Sequence, residues 1–138
     1  MLPSIFLSAD EFGSLISLAN NSLPLESCAL LLGQTKGENC EETVVRDLIR
    51  VNNNDSSPVS FSMKPDDLIE AYKFSESRNM EVVGIFHSHP AEPFPSPTDK
   101  RFMKINPVVW LIYSTTKNET KAFIFDDNLI EVRICVME

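Results

Sequence analysis

Basic residues are scarce in this sequence. Twelve lysines and arginines stand against twenty aspartates and glutamates, for a formal net charge of −8. A phosphate backbone would be repelled by that balance, so nucleic acid is not an expected partner. Paired cysteines are missing too: Cys28, Cys40 and Cys135 make an odd count with no CxxC spacing. That argues against a disulfide framework and for thiols in a reducing compartment. No apolar run approaches the roughly 20 residues that span a bilayer, so no membrane association is expected. The opening MLPSIFLSADEF lacks a basic segment, and Pro3, Ser4 and Ser8 break its apolar stretch. It does not read as a secretory leader, which makes the cytoplasm the expected location. Repeats, low-complexity tracts and linkers are absent as well. With 138 residues, 43% of them hydrophobic, a single domain spanning 1–138 with a proper buried core is expected.

What is present alternates between strand and helix patterns. SIFLS is a short apolar strand, and Ser8 with Glu11 forms a capping box for a helix carrying Phe12, Leu15, Ile16 and Ala19 at helical spacing. SCALLLG, 27–33, is a continuous apolar run suited to a strand covered on both faces. A polar hairpin tip follows, then the β-prone TVVRDLIRV, a loop NNNDSSP and a short strand VSFSM. Pro65, Asp66 and Asp67 begin a second helix, with Leu68, Ile69, Tyr72 and Phe74 as its expected inner stripe. EVVGIF is a buried strand, TDKRFMKI a short helix, and VVWLIYS, KAFIF and NLIEVRICV three more strands. This order predicts an α/β fold, a single-domain α-β-α sandwich of three layers around one mixed sheet.

The two histidines both fall in GIFHSHPAEPFPSPTD, residues 84–99. On a strand, His87 and His89 project to one face and Ser88 to the other. Two adjacent imidazoles can share a metal ion, and Asp99 is near enough in sequence to be a third ligand. Pro90, Pro93, Pro95 and Pro97 stiffen the loop that would return it. SPTD is also a good helix start, with Ser96 as N-cap, so Asp99 can equally be the acid of a capping box. Three protein ligands leave zinc an open position, as in catalytic sites. Hydrolysis would further require a carboxylate to move protons and a donor for the oxyanion, for which Ser96 is suitably placed. Among twenty acids the residues alone do not select the proton carrier.

The combination resembles the JAMM (MPN+) zinc metalloprotease family, especially its small stand-alone prokaryotic and archaeal members. The resemblance rests on Glu26 in PLESCALLLG, His87, His89 and Pro90 in HSHP, and Ser96 and Asp99 in SPTD, and it extends over most of the chain. It implies a cytidine-deaminase-like sandwich and one Zn2+ per chain, held by His87, His89 and Asp99. It also implies Glu26 as the carrier of the water's proton and Ser96 as the oxyanion donor, with the cysteines idle and Cys28 in the core. The implied substrate is a ubiquitin-like or sulfur-carrier protein, cleaved after its C-terminal glycines. The loop at 34–42 and the segment at 52–62 would flank the groove for that tail. Ala91 to Pro95, between HSHP and Ser96, is one residue shorter than is common in the family. The competing readings are a non-catalytic scaffold module, whose relatives usually lack the ligands, and an iron oxygenase triad, for which no cosubstrate site is evident. An amidohydrolase barrel needs a longer chain.

Overall fold

The computed structural model describes residues 3–51 and 64–138. Among them are seven strands and three helices: β1 (Ser4–Ser8), α1 (Ala9–Ser22), β2 (Ser27–Lys36), β3 (Glu42–Val51), α2 (Pro65–Ser77), β4 (Glu81–His89), α3 (Pro97–Ile105), β5 (Val109–Ser114), β6 (Glu119–Asp126) and β7 (Asn128–Met137). The expected strand VSFSM and the loop before it lie outside the described residues. Among the described residues no helix is long and apolar enough to cross a membrane.

The strands form one mixed sheet in the order β1-β3-β2-β4-β5-β6-β7. β4 and β5 are parallel and joined through α3; the hairpins β2–β3, β5–β6 and β6–β7 are antiparallel. The α/β character and the mixed sheet agree with the sequence. Closure was not evident from it: β1 also pairs in parallel with β7, so the sheet returns on itself and its two end strands are paired.

Strand alternation gives the sheet two apolar faces. Ala29, Leu31, Phe86, Leu111 and Tyr113 pack with Leu15 and Ala19 of α1. Cys28, Leu30, Ile85, Trp110 and Ile112 face the other way, against Ala71 of α2 and Met103 of α3. Fully burying each large apolar side chain contributes about 1.5–3 kcal/mol, so both faces are strongly specified. The stripe of α2 differs from expectation. Ile69 and Tyr72 are half exposed, while Leu68, Ala71 and Ser75 face inward. A spacing of three and then four residues, continued through a small serine, sets that face. At Gly33, where the β2–β3 register shifts, an added Cβ would lie 1.9 Å from the Val44 carbonyl oxygen, which accounts for glycine there.

The second face leads directly into the histidines. His87 lies opposite Cys28 on one side and Ile112 on the other, so the apolar layer of Ile85 and Trp110 forms the floor beneath the imidazoles.

Candidate functional site

β4 ends in HSH, and its pleat puts both imidazoles on the α2/α3 face, with ring centroids 5.1 Å apart and planes at 78°. The proline-rich loop then leads to Ser96, the N-cap of α3, and this helix start presents Asp99 to the rings. Asp99 Oδ1 lies 3.5 Å from His87 Nδ1, and Oδ2 lies 4.0 Å from His89 Nε2. The short loop therefore still delivers the acid. Asp99 is a capping-box residue as well: its Oδ2 accepts the Ser96 N–H at 3.0 Å, while Ser96 Oγ accepts the Asp99 N–H at the same distance. The two sequence readings of Asp99 are compatible, because a carboxylate has an oxygen for each.

Glu26 arrives from the neighbouring strand. It stands one residue before β2, diagonal to His87 in the antiparallel pair, and its Oε1 is 2.6 Å from His87 Nε2. All four groups are almost fully buried. They line a cleft of about 400 Å³ together with Pro90, Ala91, Phe94, Ser96, Thr98 and Phe102. Ser96 contributes a hydroxyl whose hydrogen remains available, since its oxygen accepts from Asp99.

One ligand atom each from His87, His89 and Asp99 lie within 4.8 Å of one another. His89 Nδ1 is buried without a hydrogen-bond partner among the described residues, a cost that an additional ligand would relieve. Two buried carboxylates beside two imidazoles also call for positive charge. His87 shows the same demand. Burial disfavours its cation, but hydrogen bonds and charges of Asp99 and Glu26 outweigh that, holding its pKa above the ordinary 6.5. For Asp99, burial favours the neutral acid, yet the hydrogen bond and charge of His87, the Ser96 N–H and His89 bring it below 3.8. A divalent cation satisfies both carboxylates better than one proton does. The residues fit a metal.

Cys28 has no part in this. Burial pushes its thiol up to about 12, and Sγ donates to the Val51 carbonyl at 3.6 Å, as suits a core residue. One expectation needs amendment. The 34–42 segment sits at the far end of β2, where Gly33 pairs with Glu81, whereas the site is at the Ser27–Ser88 end, so this loop does not flank the cleft. Residues 52–62 lie outside the described chain. The structure also supplies a contact that the sequence did not indicate: the Phe94 carbonyl oxygen is 3.2 Å from His89 Nε2. A main-chain acceptor carries no side-chain signature, so nothing in PAEPFPSP pointed to it.

Comparison with known proteins agrees with this geometry. Residues 8–126 match the family described as prokaryotic homologs of the JAB domain. A desampylase of Pyrococcus furiosus is 40% identical over 119 residues, which are 84% of this chain and 79% of that protein. The solution structure of a Desulfitobacterium hafniense protein, 34% identical, superposes with a TM-score of 0.83 over 97% of this chain and 93% of its own. A Salinibacter ruber protein, 22% identical, shares the fold at a TM-score of 0.71, covering 96% and 90% of the two chains. Sequence and architecture thus lead to one assignment: the chain belongs to the prokaryotic branch of the JAB (JAMM/MPN) domain family.

Proposed function

We propose that this chain is a zinc-dependent isopeptidase that hydrolyses the bond after the C-terminal glycines of a ubiquitin-like modifier, acting as a desampylase does. We read 1–138 as one catalytic domain, and the two apolar faces with their helices as the layers of a deaminase-like sandwich. The observation that carries the functional reading is the buried His87–His89–Asp99 group, with Glu26 2.6 Å from His87, at the floor of an open cleft. The 40% identity to the Pyrococcus desampylase supports the choice of substrate class.

His87, His89 and Asp99 would hold the metal, and Glu26 and Ser96 would do the remaining work. A bound zinc supplies Lewis acidity, polarising a carbonyl and acidifying water at neutral pH. The Glu26 carboxylate takes the proton of the attacking water at an Oε atom and returns it to the leaving amine. The Ser96 hydroxyl, held by the Asp99 N–H, donates to the oxygen on which negative charge develops. Pro90, Ala91, Phe94 and Phe102 border the cleft with apolar surface, excluding water on that side.

Cleavage of a ubiquitin-like fusion, read beside the zinc content of the same protein, tests this. About one zinc per chain is expected, with activity lost on chelation and recovered on zinc addition. Glu26→Ala should keep the metal and the fold while the rate falls by at least about 10²-fold. Undiminished cleavage by Glu26→Ala would discard this proton carrier. Zinc retained by the double variant His87→Ala, His89→Ala would discard the site.

A further inference from the structure

The middle residue of HSH takes no part in the chemistry above. Ser88 is fully buried on the sheet face away from the imidazoles, beside Tyr113 on β5 and Ser27 on β2. Around it that face is mainly apolar, with Phe86, Leu111 and Tyr113 in its core, and Ser27 is the polar neighbour of Ser88. A buried hydroxyl is costly unless it is bonded, so serine at this position needs a reason.

Its bonds provide one. Ser88 Oγ accepts the main-chain N–H of Ser27 at 3.1 Å and lies 2.6 Å from Ser27 Oγ. The N–H it holds belongs to the peptide unit joining Glu26 to Ser27. A peptide unit is planar, so holding that N–H restricts ψ of Glu26 and, with the chain held on its other side, the direction in which the carboxylate leaves the chain. On the other side, the Leu25 N–H donates to the Ser22 carbonyl at 2.9 Å. Glu26 stands between that turn and the first residue of β2, where the regular ladder has not yet begun. Ser88 in turn lies between His87 and His89 on the strand.

We propose that Ser88, together with Ser27, is the positioning pair of the active site: two buried hydroxyls on the back of the sheet that tie the Glu26 peptide to the strand carrying the metal ligands and so set the carboxylate against His87. This rests on the isopeptidase reading. It assigns Ser88 to the placement of Glu26 rather than to retention of the metal, because its bonds go to the Glu26 side of the strand pair.

The test uses zinc-loaded protein and cleavage of a ubiquitin-like fusion, with Ser88→Ala, Ser88→Thr and Ser27→Ala. Ser88→Ala should keep zinc affinity in chelator competition and keep KM, while kcat falls roughly tenfold to a hundredfold, the scale of a small misplacement. Ser88→Thr retains Oγ and should recover the rate. In a Glu26→Gln background, adding Ser88→Ala should leave the residual rate unchanged, since the residue acts through Glu26. In metal-free protein, the imidazole proton resonance from the Glu26–His87 contact should shift or broaden in Ser88→Ala and persist in Ser88→Thr. Full kcat in Ser88→Ala, an equal fall in both backgrounds, or zinc affinity falling along with kcat would each overturn the proposal. Should Ser88→Ala fail to fold, Ser27→Ala decides. It keeps the N–H bond and should lower kcat less, and an unchanged kcat overturns the pair. Full-rate cleavage by Glu26→Gln would instead remove the proton carrier of the isopeptidase reading, and the positioning proposal with it.

Discussion

Helices α1 and α3 begin with the same pair of hydrogen bonds. In α1 the Ser8 N–H donates to Glu11 Oε1 at 2.9 Å, and the Glu11 N–H donates to Ser8 Oγ at 3.0 Å. In α3 the Ser96 N–H donates to Asp99 Oδ2 and the Asp99 N–H to Ser96 Oγ, both at 3.0 Å. Each box satisfies N–H groups at a helix start and favours its acid near the positive end of the dipole. The surroundings differ. Glu11 is only partly buried, whereas Asp99 is 3% exposed, with imidazole nitrogens 3.5 and 4.0 Å from its oxygens. A cap that shapes a helix and a cap that also builds a metal site are one motif in two environments. Burial beside histidine makes the difference, not the motif.

Removing the acid from each box separates the two most sharply. Asp99→Ala should leave almost no bound zinc and no measurable cleavage, because two imidazoles alone are an incomplete ligand set. Glu11→Ala should retain zinc and activity, with a stability loss on the order of 1 kcal/mol. Asp99→Asn refines the contrast: the amide oxygen can keep the Ser96 N–H bond, so the helix start survives while zinc affinity falls by about 10²-fold or more. Metal titration of the three variants beside their thermal unfolding checks this. Equal zinc affinity in Asp99→Asn and the parent protein would mean that Asp99 is a cap and nothing else.

The serines give a smaller, more balanced contrast. Ser8→Ala and Ser96→Ala each lose one N-cap oxygen, and each should cost about 1 kcal/mol in stability. Only Ser96→Ala should slow the reaction, by about 10²–10³-fold in kcat, through loss of the oxyanion donor. Steady-state kinetics on the two variants, matched for stability, reads this directly. A rate for Ser96→Ala no lower than that for Ser8→Ala would restrict Ser96 to capping.

Residues 84–99 made the site unusually legible. HSH on an apolar strand fixes which side chains share a face, and SPTD fixes where a helix begins; both depend on short-range geometry. The bond between Glu26 and His87 joins residues sixty-one apart, and nothing local in PLESCALLLG distinguishes that glutamate from nineteen other acids. It became visible through family resemblance, and then through the β2–β4 register. Closure of the sheet was illegible for a similar reason, since the pairing of SIFLS with NLIEVRICV spans nearly the whole chain. On α2 the pattern misled: Ile69 and Tyr72 are large and apolar yet half exposed, while Ala71 and Ser75, which carry weak hydropathy, are buried.

The coupling of Asp99 to an imidazole also gives the metal-free protein a pH signature. Asp99 has its pKa lowered from 3.8, so its contribution to stability is present above that value and lost as pH falls through the lower folded-state pKa. His87 has its pKa raised from 6.5, so its contribution is complete below that value and lost as pH rises through the higher folded-state pKa. Both act together between 3.8 and 6.5, the interval in which unfolded chains hold a charged carboxylate and a charged imidazole. Metal-free protein should therefore melt at its highest temperature inside that window and lose stability from this source as pH climbs beyond it. Bound zinc should reverse the trend, since a proton on an imidazole ligand competes with the metal. The rise in melting temperature on adding zinc should grow from about pH 5 to about pH 8. Thermal scans with and without zinc measure both slopes. A zinc-dependent gain that is flat across that range would mean the histidines are not ligands, and Asp99 would then be no different in kind from Glu11.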